Sequence, residues 1–176
     1  MSDTAFGPQK KPLTLLQRNA MAGRSPTEAL ESLELSLSDH RICMVIPAGS
    51  KIDALTMDLQ GGLLILGALR ASVTCATGSV IIAKGGEFQG SLKANDVIIE
   101  GRITSPLDAS GRPQPATISQ VHARGQVGEN GAAIGGIIAL ASGAYVCGKL
   151  KAVSYSIPRS ADLSRSTMET VAPSAN

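Results

Sequence analysis

Between Val80 and Ile99 the chain alternates aliphatic residues with polar or small ones: Val80/Ile82, Leu92/Ala94 and Val97/Ile99 fall on one side, and Lys93, Asn95 and Glu100 on the other. A period of two describes short strands with one face against a narrow interior and one toward water. Glycine separates the runs and supplies the positive φ angles that tight corners need. The strands also repeat. Ala83 to Ala94 (AKGGEFQGSLKA) returns 58 residues later as Ala141 to Ala152 (ASGAYVCGKLKA), with six of twelve positions identical. Leu63 to Ala71 answers Val97 to Ser105 at an offset of 34. Both offsets point to a period near 17, since 34 is two periods and 58 is three with seven residues to spare.

Units this short, built of β-branched runs and glycine, exclude helical repeats and predict a β-solenoid with about three short strands per coil. The echo Gly67-Ala-Leu-Arg-Ala, Gly90-Ser-Leu-Lys-Ala, Gly148-Lys-Leu-Lys-Ala marks one strand type placed at different corners. With two Phe, two Tyr and no Trp, the interior is thin layers of Val, Ile, Leu and Ala rather than a broad aromatic core.

Composition sets the boundaries. Charged residues make up 17% of the 176, below the ~25% usual in soluble domains, and the length fits one domain with tails. Seventeen of the nineteen glycines lie between Gly49 and Gly148. The solenoid is therefore placed at 42–152, with a flexible N-terminal tail at 1–41 and a disordered C-terminal tail at 153–176. Those 111 residues make roughly six coils, a body on the order of 30 Å long at the ~4.8 Å strand spacing. Ser105 to Thr117 (SPLDASGRPQPAT) holds three prolines, which cannot donate to a central ladder, and is expected to bulge out as a loop. Gly125 to Gly131 reads as a second irregular corner.

The Gly-x-Leu-Lys-Ala corners, the Val-Ile-Ile-Glu-Gly-Arg-Ile stretch at 97–103 and a solenoid of this size between two tails resemble the bactofilins. The resemblance covers about 42–152. It implies a single-stranded right-handed parallel β-helix that self-assembles into nonpolar cytoskeletal filaments without nucleotide. It also implies a cytoplasmic protein, held at the inner face of the cell membrane by its N-terminal tail, that positions clients such as cell-wall enzymes or segregation factors. The proline loop and the long N-terminal tail depart from a routine member.

Physics favours polymerisation independently, because a solenoid pairs every strand except those of its first and last coils. The first coil carries Ile42, Met44, Val45 and Ile46 and the last carries Tyr145, Val146, Leu150 and Val153, with no strongly polar capping repeat at either end. End-to-end stacking buries both sets, head-to-tail in a polar filament or like-to-like in a nonpolar one. A folded-back cap at 26–37 or from the C-terminal tail gives a monomeric binding module instead. In the N-terminal tail, Lys10, Lys11, Arg18 and Arg24 stand among Phe6, Leu13, Leu15 and Leu16 against Asp3 alone within 1–24, a composition suited to an anionic membrane or to a solvated tail. Ser25-Pro26-Thr27-Glu28 has a capping-box pattern, and Leu30, Leu33 and Leu37 follow at helical spacing, so a short helix is predicted over 26–37.

The chain offers little catalytic chemistry. Gly143-Ala-Tyr-Val-Cys-Gly148-Lys149 matches seven positions of a P-loop, but Leu150 stands where Ser or Thr must ligate magnesium, so nucleotide binding is not expected. Cys43, Cys75 and Cys147 form no C-x-x-C and read as reduced thiols, without a disulfide framework, zinc site or other metal signature. No cofactor or small-molecule substrate is implied. The enzyme alternative is a hexapeptide-repeat acyltransferase, a left-handed β-solenoid needing a histidine base, for which His122 is the one candidate because His40 precedes the solenoid. A net charge of +2 and the lack of aromatic stacking platforms argue against nucleic acid. The longest nearly apolar runs, Leu63 to Leu69 and Ile134 to Ala141, fall well short of a membrane span, and the first thirty residues lack a signal-peptide core.

Overall fold

The computed structural model describes residues 38–127 and 131–174. Fifteen strands run through them, and no helix occurs among the described residues. The helix expected at 26–37 and the expected membrane-contact residues lie outside the described residues.

The fold is a parallel β-solenoid. β1 (Ile42–Ile46), β3 (Gly62–Ile65), β5 (Ser79–Ile82), β7 (Asp96–Ile99), β12 (Ile137–Leu140) and β14 (Ser154–Ser156) stack in that order as one sheet. The longer β2 (Lys51–Leu59), β4 (Ala68–Cys75), β6 (Glu87–Ala94), β13 (Tyr145–Ala152) and β15 (Asp162–Thr170) build the second. In that sheet β8 (Arg102–Ile103) and β9 (Gln120–Ala123) lie side by side in one level, both pairing β6 below and β13 above. Each of the six levels thus contains a short strand of the first sheet and, in the second, either a long strand or the β8–β9 pair. The 17-residue period is direct in the first sheet, where Leu63 pairs Val80 and Val80 pairs Val97.

Identical register turns the alternation into interior columns. Ile46, Ile65, Ile82, Ile99 and Leu140 stack through five levels, and Met57, Val73, Leu92, Val121, Leu150 and Met168 through six. Each fully buried aliphatic side chain contributes about 2 kcal/mol. Among the described residues Phe88 is the one aromatic ring in the buried core. The runs Leu63-Leu-Ile and Val80-Ile-Ile are buried on both faces, Leu64 and Ile81 included, as continuous aliphatic runs in parallel strands tend to be.

The corners explain the glycines. Gly49, Gly85 and Gly143 sit third in turns closed by Ser50 N–H to Pro47 O, Gly86 N–H to Ala83 O and Ala144 N–H to Ala141 O, each with φ near +80°. That left-handed third position favours glycine. Gly90 has φ +129°, and a Cβ there would collide with the Ala71 carbonyl.

Two insertions lengthen the chain without breaking the stack. The 58-residue offset was expected to be three periods plus seven; Ala94, Ala123 and Ala152 share one column, so it is two levels of 17 with 24 inserted residues. Part of the insertion is the proline loop, which leaves and re-enters the wall between β8 and β9. Asp108 organises it, its carboxylate accepting from Ser110 N–H, Ser110 Oγ and Arg112 N–H at 2.9, 2.7 and 2.9 Å, contacts that hold its pKa below the usual carboxylate value. The other part is an antiparallel hairpin of β10 (Gly125–Val127) and β11 (Ala133–Gly135), where the second irregular corner was expected.

At the loop's base two buried serines replace the interrupted backbone. Ser119 Oγ accepts from Gly90 N–H at 3.0 Å and donates to Thr104 O, while Ser105 Oγ accepts from Ser119 N–H at 2.9 Å and donates to Cys147 O at 2.5 Å. The network ties the level below to the level above and leaves both hydroxyls satisfied.

The C-terminal boundary differs from expectation. Residues 153–176 were expected to be a disordered tail, but β14 and β15 form a sixth level, with β15 pairing β13 along most of its length. The segment lacks glycine punctuation, and its pattern Leu163, Ser166, Met168 is shifted by a bulge opposite Tyr145 and Cys147. That shift hides the alternation from a sequence reading. Past β15 the chain returns to the hairpin, with Ser174 bridging Gln126.

Gly85→Ala places a side chain in a left-handed position with open space around it and is expected to cost about 1 kcal/mol. Gly90→Ala adds a backbone collision and is expected to cost roughly 3 kcal/mol or more. Urea midpoints of the two variants check the order; equal losses contradict the crowded column at Ala71.

Candidate functional site: the open ends of the solenoid

In the two stacked sheets every inner strand is paired on both sides, whereas β1, β2, β14 and β15 each pair with a single neighbour among the described residues. The two ends therefore present backbone donors and acceptors together with the last members of the interior columns.

At the N-terminal end Met44, Ile52, Ala54, Met57 and Leu59 pack on the core yet stay partly exposed, because no further level covers them among the described residues. Of the four residues expected there, Ile42 and Met44 are half-buried, Val45 is 42% exposed on the outer side, and Ile46 is fully enclosed by Ile65 and its column. Ile46 is therefore a core residue rather than a contact residue.

At the C-terminal end the expectation is corrected. Val146 and Leu150 are buried to within 1% because β15 covers β13, and Tyr145 and Val153 are half-buried on or beside that inner level. The terminal surface is instead Tyr155, Leu163 and Met168, together with Ile157 in the turn. Met168 occupies an interior column and is still 49% exposed, which marks an uncovered level. Tyr155 ends the column of Met44, Leu63, Val80, Val97 and Ile138. Its hydroxyl lies within hydrogen-bond reach of Leu150 O at 3.0 Å and Glu169 O at 2.6 Å, so the ring closes part of the opening. A salt bridge of 2.9 Å between Lys151 and Glu169 fastens β15 to β13.

Register shifts among the described pairs fall at β1 on β3, β2 on β4 and β15 on β13, all involving terminal strands. The bulge in β2 throws Leu55 outward to 92% exposure. Bulged edges resist indiscriminate strand addition and admit a partner of matching shape. β2 and β15 are both nine residues long. Of the residues expected at the N-terminal end, Ile42, Met44 and Val45 lie on the terminal strand β1 with some exposure and Ile46 is buried; the bulges leave no composition signal.

The other candidate chemistries disperse. The P-loop-like stretch from Gly143 to Lys149 is a corner followed by β13, with Cys147 and Gly148 buried inside the ladder. His122 lies mid-strand in β9, paired with Lys93 and Lys151, and its pKa is lowered by burial first and then by Lys151, Arg124 and Lys93. His40 sits beside β5, its Nδ1 3.3 Å from Ser79 Oγ. No group of three His, Cys, Asp or Glu residues suited to a metal occurs among the described residues. Nor does any helix among them have the length and apolarity to cross a membrane.

These features define a class: a parallel β-solenoid with an aliphatic core and, among the described residues, end strands that pair along one edge only. The chain belongs to the bactofilin family, whose model, described as polymer-forming cytoskeletal, matches residues 44–151. The match ends before β14 and β15. Neither a curated protein nor a solved structure matches this chain.

Burial raises the Cys75 thiol to about 11, whereas Cys43 is exposed on β1. Iodoacetamide at neutral pH is therefore expected to alkylate Cys43 in the folded protein, with Cys75 and Cys147 reacting only after denaturation; mass spectrometry of the intact chain counts the adducts. Rapid labelling of all three thiols contradicts the closed interior.

Proposed function

We propose that this protein is a non-enzymatic cytoskeletal scaffold that forms filaments without nucleotide by stacking solenoids end to end. The observation that carries the reading is the pair of open levels, each offering a nine-residue strand edge beside partly exposed interior residues. Stacking continues the columns across the junction, burying Met57 and Met168 and pairing backbone groups otherwise left to water. The contact set is Ile42, Met44 and Val45 with Met57 at one end, and Tyr155, Leu163 and Met168 at the other. The family's polymer-forming character supports the reading.

The filament is nonpolar, as the family resemblance implies, with like ends meeting. It works in the cytoplasm, where the N-terminal segment with Phe6, Lys10, Lys11, Leu13, Leu15, Leu16 and Arg18 attaches it to the inner membrane surface and clients assemble along it. Electrostatic attraction of the four basic residues at 1–24 contributes about 1 kcal/mol each near an anionic surface, a weak attachment that polymer multivalency strengthens.

Val45→Arg and Met168→Arg each place a charge at one end while sparing the buried core. Size-exclusion chromatography with light scattering, alongside negative-stain microscopy, is expected to show wild-type filaments and, for either single variant, dimers joined through the intact end. The double variant is expected to be a monomer. Monomers from both single variants indicate head-to-tail stacking, and wild-type particles that never elongate at high concentration overturn the scaffold reading.

A further inference from the structure

The outer face of the second sheet gathers basic side chains in register. Lys93, His122 and Lys151 are successive members of one column on β6, β9 and β13, and Ser91, Gln120 and Lys149 form the column beside it. Leu92, Ala94, Val121, Ala123, Leu150 and Ala152 on the same strands point into the core, which fixes the other residues outward. Lys93 and Lys151 stand two rungs, ~9.6 Å, apart with the His122 ring between them.

Two further observations give the panel the character of a site. The six residues line a shallow cleft of about 210 Å³ whose floor includes Leu92 and Val121. Its counter-charge is also sparse: Glu169 pairs Lys151 at the upper end, and Asp58 lies two rungs below Lys93. Arg124, next along β9, sends Nη2 to Cys75 O at 2.7 Å while its buried Nε has no partner. Positive charge therefore fills the middle of the wall, with a carboxylate at each extremity.

We propose that this panel is a docking surface for a short acidic peptide segment of a partner protein, a Glu-x-Glu strand whose carboxylates span Lys149, Lys151 and Lys93. Lys149 and Lys151 are two residues apart, ~6.6 Å along the strand, which is the spacing of alternate side chains on an extended ligand. The cleft is the size of one or two side chains. Asp58 and Glu169 flank it, an arrangement that repels a broad anionic surface and admits a compact ligand. The proposal deepens the scaffold reading by giving a client chemistry and a place on the side wall, clear of both stacking ends. It rests on that reading only for the client's role.

The groups facing His122 are Lys93 from β6, Arg124 just past the end of β9, Lys151 and Lys149 from β13 and Glu169 from β15. Burial first, and then Lys151, Arg124 and Lys93, lower its pKa below the usual imidazole value. A bound carboxylate reverses that balance, so binding takes up a proton and strengthens as pH falls.

The test is fluorescence anisotropy of a fluorescein-labelled decapeptide containing two Glu-x-Glu pairs, titrated with the full-length chain and with the Val45→Arg/Met168→Arg double variant. The expected result is binding by both proteins, a loss of about tenfold or more in Lys93→Gln/Lys149→Gln/Lys151→Gln, and an affinity about threefold higher at pH 6 than at pH 8. That pH dependence should disappear in His122→Gln. Lys84→Gln, on another corner, should bind as wild type. Equal binding of a peptide with Gln in place of Glu, or an unaffected triple variant with an unchanged circular dichroism spectrum, overturns the proposal. So does lysine-dependent capture of phosphatidylserine vesicles without peptide binding, which makes the panel a lipid surface. Peptide binding by a wild type that forms no filaments supports the panel and removes the scaffold reading alone.

Discussion

Parallel in-register pairing is the constraint on which everything else in this molecule depends. A strand that stacks on its own chain one period earlier satisfies its backbone and places like side chains above like, so a single rule of period 17 yields both the ladder and the aliphatic columns. The same rule leaves two levels unsatisfied. Inner levels are interchangeable in kind, and what distinguishes the ends is that no next rung follows among the described residues, together with the bulges that mark β1, β2 and β15.

The interior was readable from sequence because it follows a local rule. Val80/Ile82 and Leu92/Ala94 alternate openly, glycine marks the turns, and the loop carrying Pro106, Pro113 and Pro115 announces that it cannot pair. The terminal levels were less legible. β15 has no glycine corner before it and carries a bulge, so Met168 lies in the Leu150 column without any alternation to reveal it. Val146 and Leu150 were assigned to the surface for the same reason: the strand that covers them was not visible as a strand. The panel of Lys93, His122 and Lys151 escaped notice because its members are 29 residues apart each time, an offset produced by the two insertions and by no repeat.

Insertions are tolerated only where the ladder can be closed behind them. The proline loop departs between β8 and β9, at the column of Gly90 and Gly148, where Gly90 already takes a φ of +129°. The hairpin β10–β11 departs between the two sheets. Neither shifts the register of the strands that flank it, since Val97 still meets Ile138 and Leu92 still reaches Leu150 through Val121. Length is thus added radially and never along the axis, which keeps the rise per level constant however the surface is elaborated.

Ser105 and Ser119 show how such an elaboration is sealed. Between them the chain makes its excursion, and their two hydroxyls stitch the wall shut beneath it. What lies outside that stitch is mechanically uncoupled from what lies within. The loop is consequently a socket: a different segment can be spliced between the serines and displayed on the flank of the rod, while the stack beneath continues to register as though nothing had been inserted.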